Sequence, residues 1–162
     1  MSSYSALAWH DFFVAAVGAS AALLGLLFVT ISINLEHILK YPHLPGRAAS
    51  TLGTLLTVLV ICCFGLAPSQ PTRAFGWEIV AMTLLAGTQI LWTSRHRDPA
   101  NPLTWTIGSL PILLVPVLVL LGGGASLLAG GGGGIYWLLF GTVLAFIGAS
   151  INAWVLLVEI LR

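Results

Sequence analysis

The chain has 162 residues, of which 58% are hydrophobic and only 7% are charged, and its formal net charge is +1. Soluble domains carry about a quarter charged residues, so this composition indicates an integral membrane protein surrounded by the lipid bilayer. Nucleic acid is excluded as a partner, because its binding requires clustered Lys and Arg that neutralise phosphates.

Five apolar segments are each long enough to cross the hydrocarbon core, which takes about 20 helical residues. They predict an all-α fold, a polytopic transmembrane bundle in a single domain, with spans at about 11–38, 47–68, 76–94, 102–121 and 134–160. Pro111 and Pro116 predict a bend in the fourth span, because each removes an intrahelical hydrogen bond. The glycine-rich stretch 122–134 is expected to form a short loop. A four-span arrangement that loses the Pro-containing segment is the alternative.

The distribution of Lys and Arg predicts the orientation of the spans. With five spans, one side of the membrane holds Lys40, Arg47, Arg95, Arg97 and Arg162, whereas the other side holds only Arg73. Because positive charges favour the cytoplasmic side, we expect the N-terminus outside and the C-terminus in the cytoplasm. The Trp and Tyr residues near the predicted span ends agree with this topology, since these side chains favour membrane interfaces.

The first and fifth spans carry the same stripe of small residues. The residues follow each other at steps of 4, 3, 4, 3 and 4: Gly18, Ala22, Gly25, Val29, Ser32 and Glu36 in the first span, and Gly141, Ala145, Gly148, Asn152, Val155 and Glu159 in the fifth. Small side chains let membrane helices approach closely. We expect the two stripes to form a helix-packing interface, either as a close pair or between the subunits of a homo-oligomer. Alternatively, the match reflects how common small residues are in membrane helices.

The second span carries a polar face formed by Ser50, Thr54 and Thr57, with Arg47 at its end. In one interpretation these residues line a narrow pore for anions or neutral solutes. In the other, each hydroxyl bonds a carbonyl of its own helix or of a neighbouring helix. A pump or proton-coupled carrier is disfavoured, because no Asp, Glu, Lys or Arg lies in the middle of a span.

The sequence predicts neither an enzyme nor a cofactor or metal site. The glycine run lacks the Lys-Ser/Thr of a phosphate loop, and no metalloprotease or Ser/His/Asp pattern is present. His37 and His96 end the first and third spans on the same side, as a haem ligand pair would, but both lie among charged residues at the water boundary. We interpret them as interfacial histidines. Cys62 and Cys63, inside an apolar span, are expected to be small core residues.

Four segments carry a family resemblance: W-H-D-F-F near the start, G-A-S-A-A-L-L-G-L-L-F-V-T-I-S-I-N-L in the first span, P-H-L-P-G-R-A after it, and the closing N-A-W-V-L-L-V-E-I-L-R. They resemble a group of small, uncharacterised bacterial polytopic membrane proteins, some of which are provisionally labelled modulators of a membrane-bound AAA protease. The resemblance implies a multi-pass protein of the bacterial inner membrane with a regulatory or accessory role. It implies no catalytic residues.

Two functions remain open on this basis. The first is a passive channel or pore component, built as a homo-oligomer whose copies form a closed ring. The second is an accessory subunit that docks through the small-residue stripes onto a larger membrane protein, such as a protease or a transporter.

Overall fold

The computed structural model describes residues 4–41, 44–94 and 110–160, without the side chains of residues 156, 157, 159 and 160. These residues form a short 3-10 turn at Ala6–Trp9 and the helices α1 (His10–Ile33), α2 (Leu35–Lys40), α3 (Leu44–Gly65), α4 (Thr72–Ser94), α5 (Leu110–Ala129) and α6 (Tyr136–Ile160). Five helices, all except α2, are long and apolar enough to cross a membrane. The prediction of an all-α bundle with five spans is confirmed.

The central element of the bundle is α3. It packs against α1, α4 and α6, while α5 packs against α4 and α6 on the far side. In its most apolar stretch 61% of the residues of α3 are buried, against 22% in α1. The helices α3 to α6 therefore close into a four-helix ring, and α1 lies against the outside of α3.

The main apolar core lies toward the end of the bundle where α1 begins, which we call the Trp9 end; the opposite end, where α3 begins, is the Arg47 end. Phe13 of α1 is fully buried in this core, and its ring meets that of Phe75 edge to face with 5.8 Å between the centroids. The ring of Trp9 packs in the same way on Tyr136, at 4.8 Å. These contacts fasten the start of α1 to α4 and α6.

The first predicted span, 11–38, is interrupted near its end. A single residue, Asn34, with φ −103° and ψ 13°, separates α1 from α2. Its side-chain Nδ2 donates to the carbonyl of Thr30 at 2.9 Å, and the Thr30 hydroxyl donates to the carbonyl of Leu26 at 2.9 Å. Such side-chain bonds compete with the helical backbone ladder, which explains the break.

The prediction of a loop over 122–134 is wrong for its first eight residues, because α5 continues to Ala129. Glycine is required there for close helix packing: a Cβ on Gly124 would lie 2.9 Å from Val80 Cγ2 and 3.1 Å from the carbonyl oxygen of Gly76 in α4. This close approach compensates for the entropic cost of ordering glycine in a helix. The loop that remains, 130–135, takes positive φ at four glycines, Gly130, Gly132, Gly133 and Gly134.

The fourth predicted span, 102–121, corresponds to α5. Pro116 lies inside this helix and is buried. The part of the prediction that covers 102–109 lies outside the described residues, as do Arg95, His96, Arg97 and Arg162.

We predict that Gly148→Ala destabilises the bundle by about 1–3 kcal/mol, the range for overpacking a tight site. A Cβ at this position would lie 2.8 Å from the backbone carbonyl oxygen of Ile112, which cannot turn away as a side chain can. The matched control is Gly25→Ala, where no atom lies within 4 Å of the added Cβ. The measurement is the free energy of unfolding in detergent micelles. Equal stabilities of the two variants would contradict the packing of α6 on α5.

Candidate functional site

The first turns of α3 hold a buried cation, Arg47, whose side chain is only 7% exposed. Its Nε and Nη2 both donate to Oδ1 of Asn152 in α6, at 3.3 and 3.1 Å. The Nδ2 of Asn152 donates to the hydroxyl of Thr51, which in turn donates to the carbonyl of Arg47 at 2.9 Å. These three residues, the Arg47 cluster, join α3 to α6 and provide the hydrogen bonds that a buried charge requires.

A second set of polar contacts joins α3 to α4. The hydroxyls of Ser50 and Thr93 lie 2.6 Å apart, and Gln89 Nε2 donates to the carbonyl of Ala49 at 3.0 Å. Gln89 fits because Gly53 has no side chain: a Cβ there would overlap the Gln89 side-chain amide. The Arg47 end of α3 is thus surrounded by polar groups from both neighbouring helices.

The hydroxyls farther along α3 bond their own helix. Thr54 donates to the carbonyl of Ser50 at 2.9 Å and Thr57 to that of Gly53 at 2.8 Å. Thr83 of α4 donates to the carbonyl of Ile79 at 2.8 Å, and all three threonines are buried. These bonds match the interpretation in which each hydroxyl of the polar face bonds a carbonyl of its own or a neighbouring helix. A hydroxyl has one hydrogen and two lone pairs, and the hydrogen of each threonine is already donated to a carbonyl. These residues can therefore still accept hydrogen bonds but cannot donate further ones.

The four predicted pore residues are therefore brought together inside one chain. Arg47, Ser50, Thr54 and Thr57 are all at most 7% exposed, and they lie between α4 and α6 instead of on an outer surface. From Arg47 to Thr57 the polar face extends about 15 Å, at 1.5 Å per helical residue. It covers the half of α3 nearest the Arg47 end.

Sequence reasoning missed the partners on the other helices. It assigned Asn152 to a packing stripe and did not place Thr51, Gln89 or Thr93 in the site. The steps along one helix show which residues share a face, but a hydrogen bond across 105 residues, such as that from Arg47 to Asn152, leaves no local pattern. An amide inside an otherwise apolar span was the one signal that pointed to α6.

At the Trp9 end a cavity of about 740 Å³ opens between the start of the chain and the connection from α3 to α4. Its lining includes Tyr4, His10, Gly65, Gln70 and Thr72. The wall is held by hydrogen bonds, since Thr72 Oγ1 donates to the carbonyl of Tyr4 at 3.2 Å. Gln70 Nε2 donates to Oε2 of Glu78 at 2.5 Å. The cavity thus offers polar groups to a small solute at the end of the bundle opposite the Arg47 cluster.

The small-residue stripe of α1 faces outward. Gly18, Ala22, Gly25 and Ser32 are all exposed, and no atom lies within 4 Å of a Cβ placed on either glycine. The buried residues of α1, among them Phe13 and Leu27, lie on the opposite side of the helix.

The stripe of α6, in contrast, is used inside the chain. Gly141 packs against Leu120 and Gly148 against Ile112, both in α5, while Ala145 is fully buried and Asn152 binds Arg47. Among the residues whose side chains the structure describes, the stripe of α1 faces outward and that of α6 faces inward, so the two do not form a pair. An interface between subunits through the stripe of α1 stays a prediction.

The remaining candidate groups are separate from this site. Among the described residues no three His, Cys, Asp or Glu side chains come together, and His37 is exposed on α2. Cys62 is buried in the apolar core, as expected, whereas Cys63 is exposed. Ser20 of α1 is fully buried, and its hydroxyl is the one buried side-chain group in the described ranges without a hydrogen-bond partner.

Comparison of the chain with protein-family models, curated proteins and solved structures gives no match. The resemblance of its segments to bacterial membrane proteins therefore stays a prediction.

We predict that Asn152→Leu destabilises the protein by about 3 kcal/mol, because it leaves Nε and Nη2 of the buried Arg47 without their acceptor. Combining it with Arg47→Met is expected to recover part of this loss, since the charge is then removed as well. Arg73→Met, at an exposed position of α4, is the control. The free energies of unfolding of the parent protein, of Asn152→Leu and Arg47→Met singly and together, and of the control test this coupling. An Asn152→Leu protein as stable as the parent would contradict it.

Proposed function

We propose that this protein is a passive conduit for small neutral solutes in the bacterial inner membrane, in which each chain of a homo-oligomer contains its own path. The observation that carries the proposal is the polar face of α3, which lies buried in the centre of a bundle of five apolar helices. Polar and ionisable groups in such surroundings are costly and mark solute pathways in membrane proteins. The path would run along Arg47, Thr54 and Thr57, inside the four-helix ring and not between chains.

The choice of neutral solutes over anions follows from the hydrogen-bond inventory. The hydroxyl hydrogens of Thr54, Thr57 and Thr83 are donated to backbone carbonyls, so these residues offer acceptors to a passing solute. An anion needs donors, whereas water, polyols and other neutral molecules with O–H or N–H groups can donate. The positive charge of Arg47 opposes the passage of cations. Anions and cations are thus both disfavoured relative to small neutral solutes that donate hydrogen bonds.

The orientation belongs to the same proposal. Arg47 is buried within the bundle and does not count as a loop charge. Without it, the predicted cytoplasmic side still carries four basic residues, Lys40, Arg95, Arg97 and Arg162. The other side carries only Arg73. By the positive-inside rule the Arg47 end faces the cytoplasm and the Trp9 end faces outward.

We predict that Thr54→Leu lowers glycerol flux into proteoliposomes about tenfold or more, because it replaces an acceptor at the middle of α3 by a branched apolar side chain. The matched control is Thr88→Leu, since Thr88 is exposed on α4 and its hydroxyl also donates to its own helix, to Leu85. Stopped-flow light scattering on osmotically shrunken vesicles gives the rate. The control should retain the parent rate.

Two results would contradict the conduit. One is a parent protein whose vesicles take up glycerol no faster than protein-free vesicles. The other is an equal loss of flux in both variants, which would show that the effect comes from the helix surface and not from the polar face.

The second candidate function is that of an accessory subunit that docks on a larger membrane protein, such as a protease or a transporter. The observation that favours it is the exposed stripe of α1, which none of the described helices covers. Small residues on a membrane helix allow close packing with a further helix. The same surface serves the homo-oligomer in the first proposal, so the two functions differ in what occupies it.

We predict that the parent protein is a homo-oligomer in nanodiscs and that Gly25→Leu dissociates it, because a leucine in the stripe prevents close helix approach. Ala19→Leu is the control, since Ala19 is also exposed on α1 but lies about 100° around the helix from Gly18. Native mass spectrometry gives the masses. A monomeric parent protein that copurifies with a larger membrane protein would favour the accessory role instead.

A further inference from the structure

One face of α3 connects the two polar regions of the bundle. Arg47, Thr54, Val58, Ile61 and Gly65 follow each other at steps of 7, 4, 3 and 4, so they lie on a single stripe along the helix. The stripe begins in the Arg47 cluster and ends at Gly65, which lines the cavity at the Trp9 end. Any path along this face must therefore pass Val58 and Ile61 before it reaches the cavity.

The segment between the two polar regions is closed by apolar side chains. Val58, Ile61 and Cys62 of α3 and Phe75 and Ile79 of α4 belong to one core cluster, and each is at most 1% exposed. From Val58 to Gly65 this layer is about 10 Å thick, at 1.5 Å per residue. A layer of this kind holds no polar group that could replace the hydration shell of a solute.

Phe13 of α1 completes the layer on the side of the cavity. Its ring lies directly against the backbone of Gly65, where a Cβ would be 2.8 Å from the ring carbons Cε2 and Cζ. The ring is fully buried and touches Phe75 edge to face. It is attached to α1, which lies outside the four-helix ring and is the least buried of the spanning helices.

We infer that the cavity at the Trp9 end is the entrance of the conduit and that the ring of Phe13 is its gate. A solute enters between Tyr4, His10 and Gln70, and a movement of Phe13 away from Gly65 opens the cavity side of the apolar layer. Val58 and Ile61 then remain between the solute and Thr57. A displacement of α1 moves the ring without opening the four-helix ring itself. Apolar constrictions close other membrane pores in the same way, by excluding water. The inference rests on the proposed function, because it names the entrance and the barrier of the same path.

Cys62 provides a test that does not depend on transport. Its thiol is buried in the apolar layer, one turn before Gly65 on α3. In a Cys63→Ser background it is the only thiol of the chain. A charged methanethiosulfonate reagent, added on the side that the Trp9 end faces, modifies it only when water reaches the layer.

We predict that Phe13→Ala raises the rate of Cys62 modification about tenfold or more, since thiol reactivity follows access to water. Gly65→Ala should act in the same direction, because its Cβ displaces the Phe13 ring from the other side. The control is Phe140→Ala, which removes an exposed ring from the outer face of α6. Mass spectrometry of the intact protein in proteoliposomes gives the rates, and Gly65→Ala keeps the test available when Phe13→Ala does not fold.

The rates of Cys62 modification test the gate, and the glycerol flux tests the conduit. Faster modification of Cys62 in Phe13→Ala or in Gly65→Ala supports the gate, and a parallel rise in glycerol flux supports both claims. Faster modification without any flux leaves the gate supported and contradicts the conduit. An unchanged rate in both variants overturns the gate, and glycerol flux by the parent protein would then leave the conduit intact with its barrier elsewhere.

Discussion

A guanidinium group is tolerated inside an apolar bundle only when it is held by hydrogen bonds, and the rest of this structure depends on how that requirement is met for Arg47. The carboxamide of Asn152 accepts two of its N–H groups, and Thr51 orients the carboxamide. Removing a partner from a buried charge costs several kcal/mol, so α3 and α6 cannot separate at this end without a large penalty. This constraint fixes α6 against the polar face of α3, and the contacts of Thr93 with Ser50 and of Gln89 with Ala49 fix α4 on its other side.

Close packing of glycine supplies the second constraint. In a bilayer the lipid tails are as apolar as a protein core, so helices associate through packing and hydrogen bonds and not through removal of apolar surface from water. Gly124 lets α5 approach α4, and Gly148 lets α6 approach α5. With α3 bound to α6 by the Arg47 cluster, these contacts close the four-helix ring. Gly65 extends the same principle to α1, whose Phe13 ring needs a position without a side chain.

The sequence was sufficient for the features that repeat along one helix. Five apolar segments predicted the spans, and the spacing of Ser50, Thr54 and Thr57 predicted their common face. It was insufficient for features that depend on a neighbouring helix. The sequence predicts a loop at Gly122 to Gly124, because glycine disfavours helices in isolation and the close contacts of these residues with α4 and α6 have no local signal. For the same reason the matching stripes of α1 and α6 gave no indication that one faces outward and the other inward.

The proposed conduit passes small neutral solutes through the interior of a single chain and excludes ions. The most direct measurement compares glycerol uptake with ionic conductance for the same purified protein, by light scattering in proteoliposomes and by current recording in planar bilayers. We predict glycerol uptake well above that of protein-free vesicles and no protein-dependent current in potassium chloride. A clear current, or glycerol uptake equal to that of protein-free vesicles, would contradict the proposed conduit.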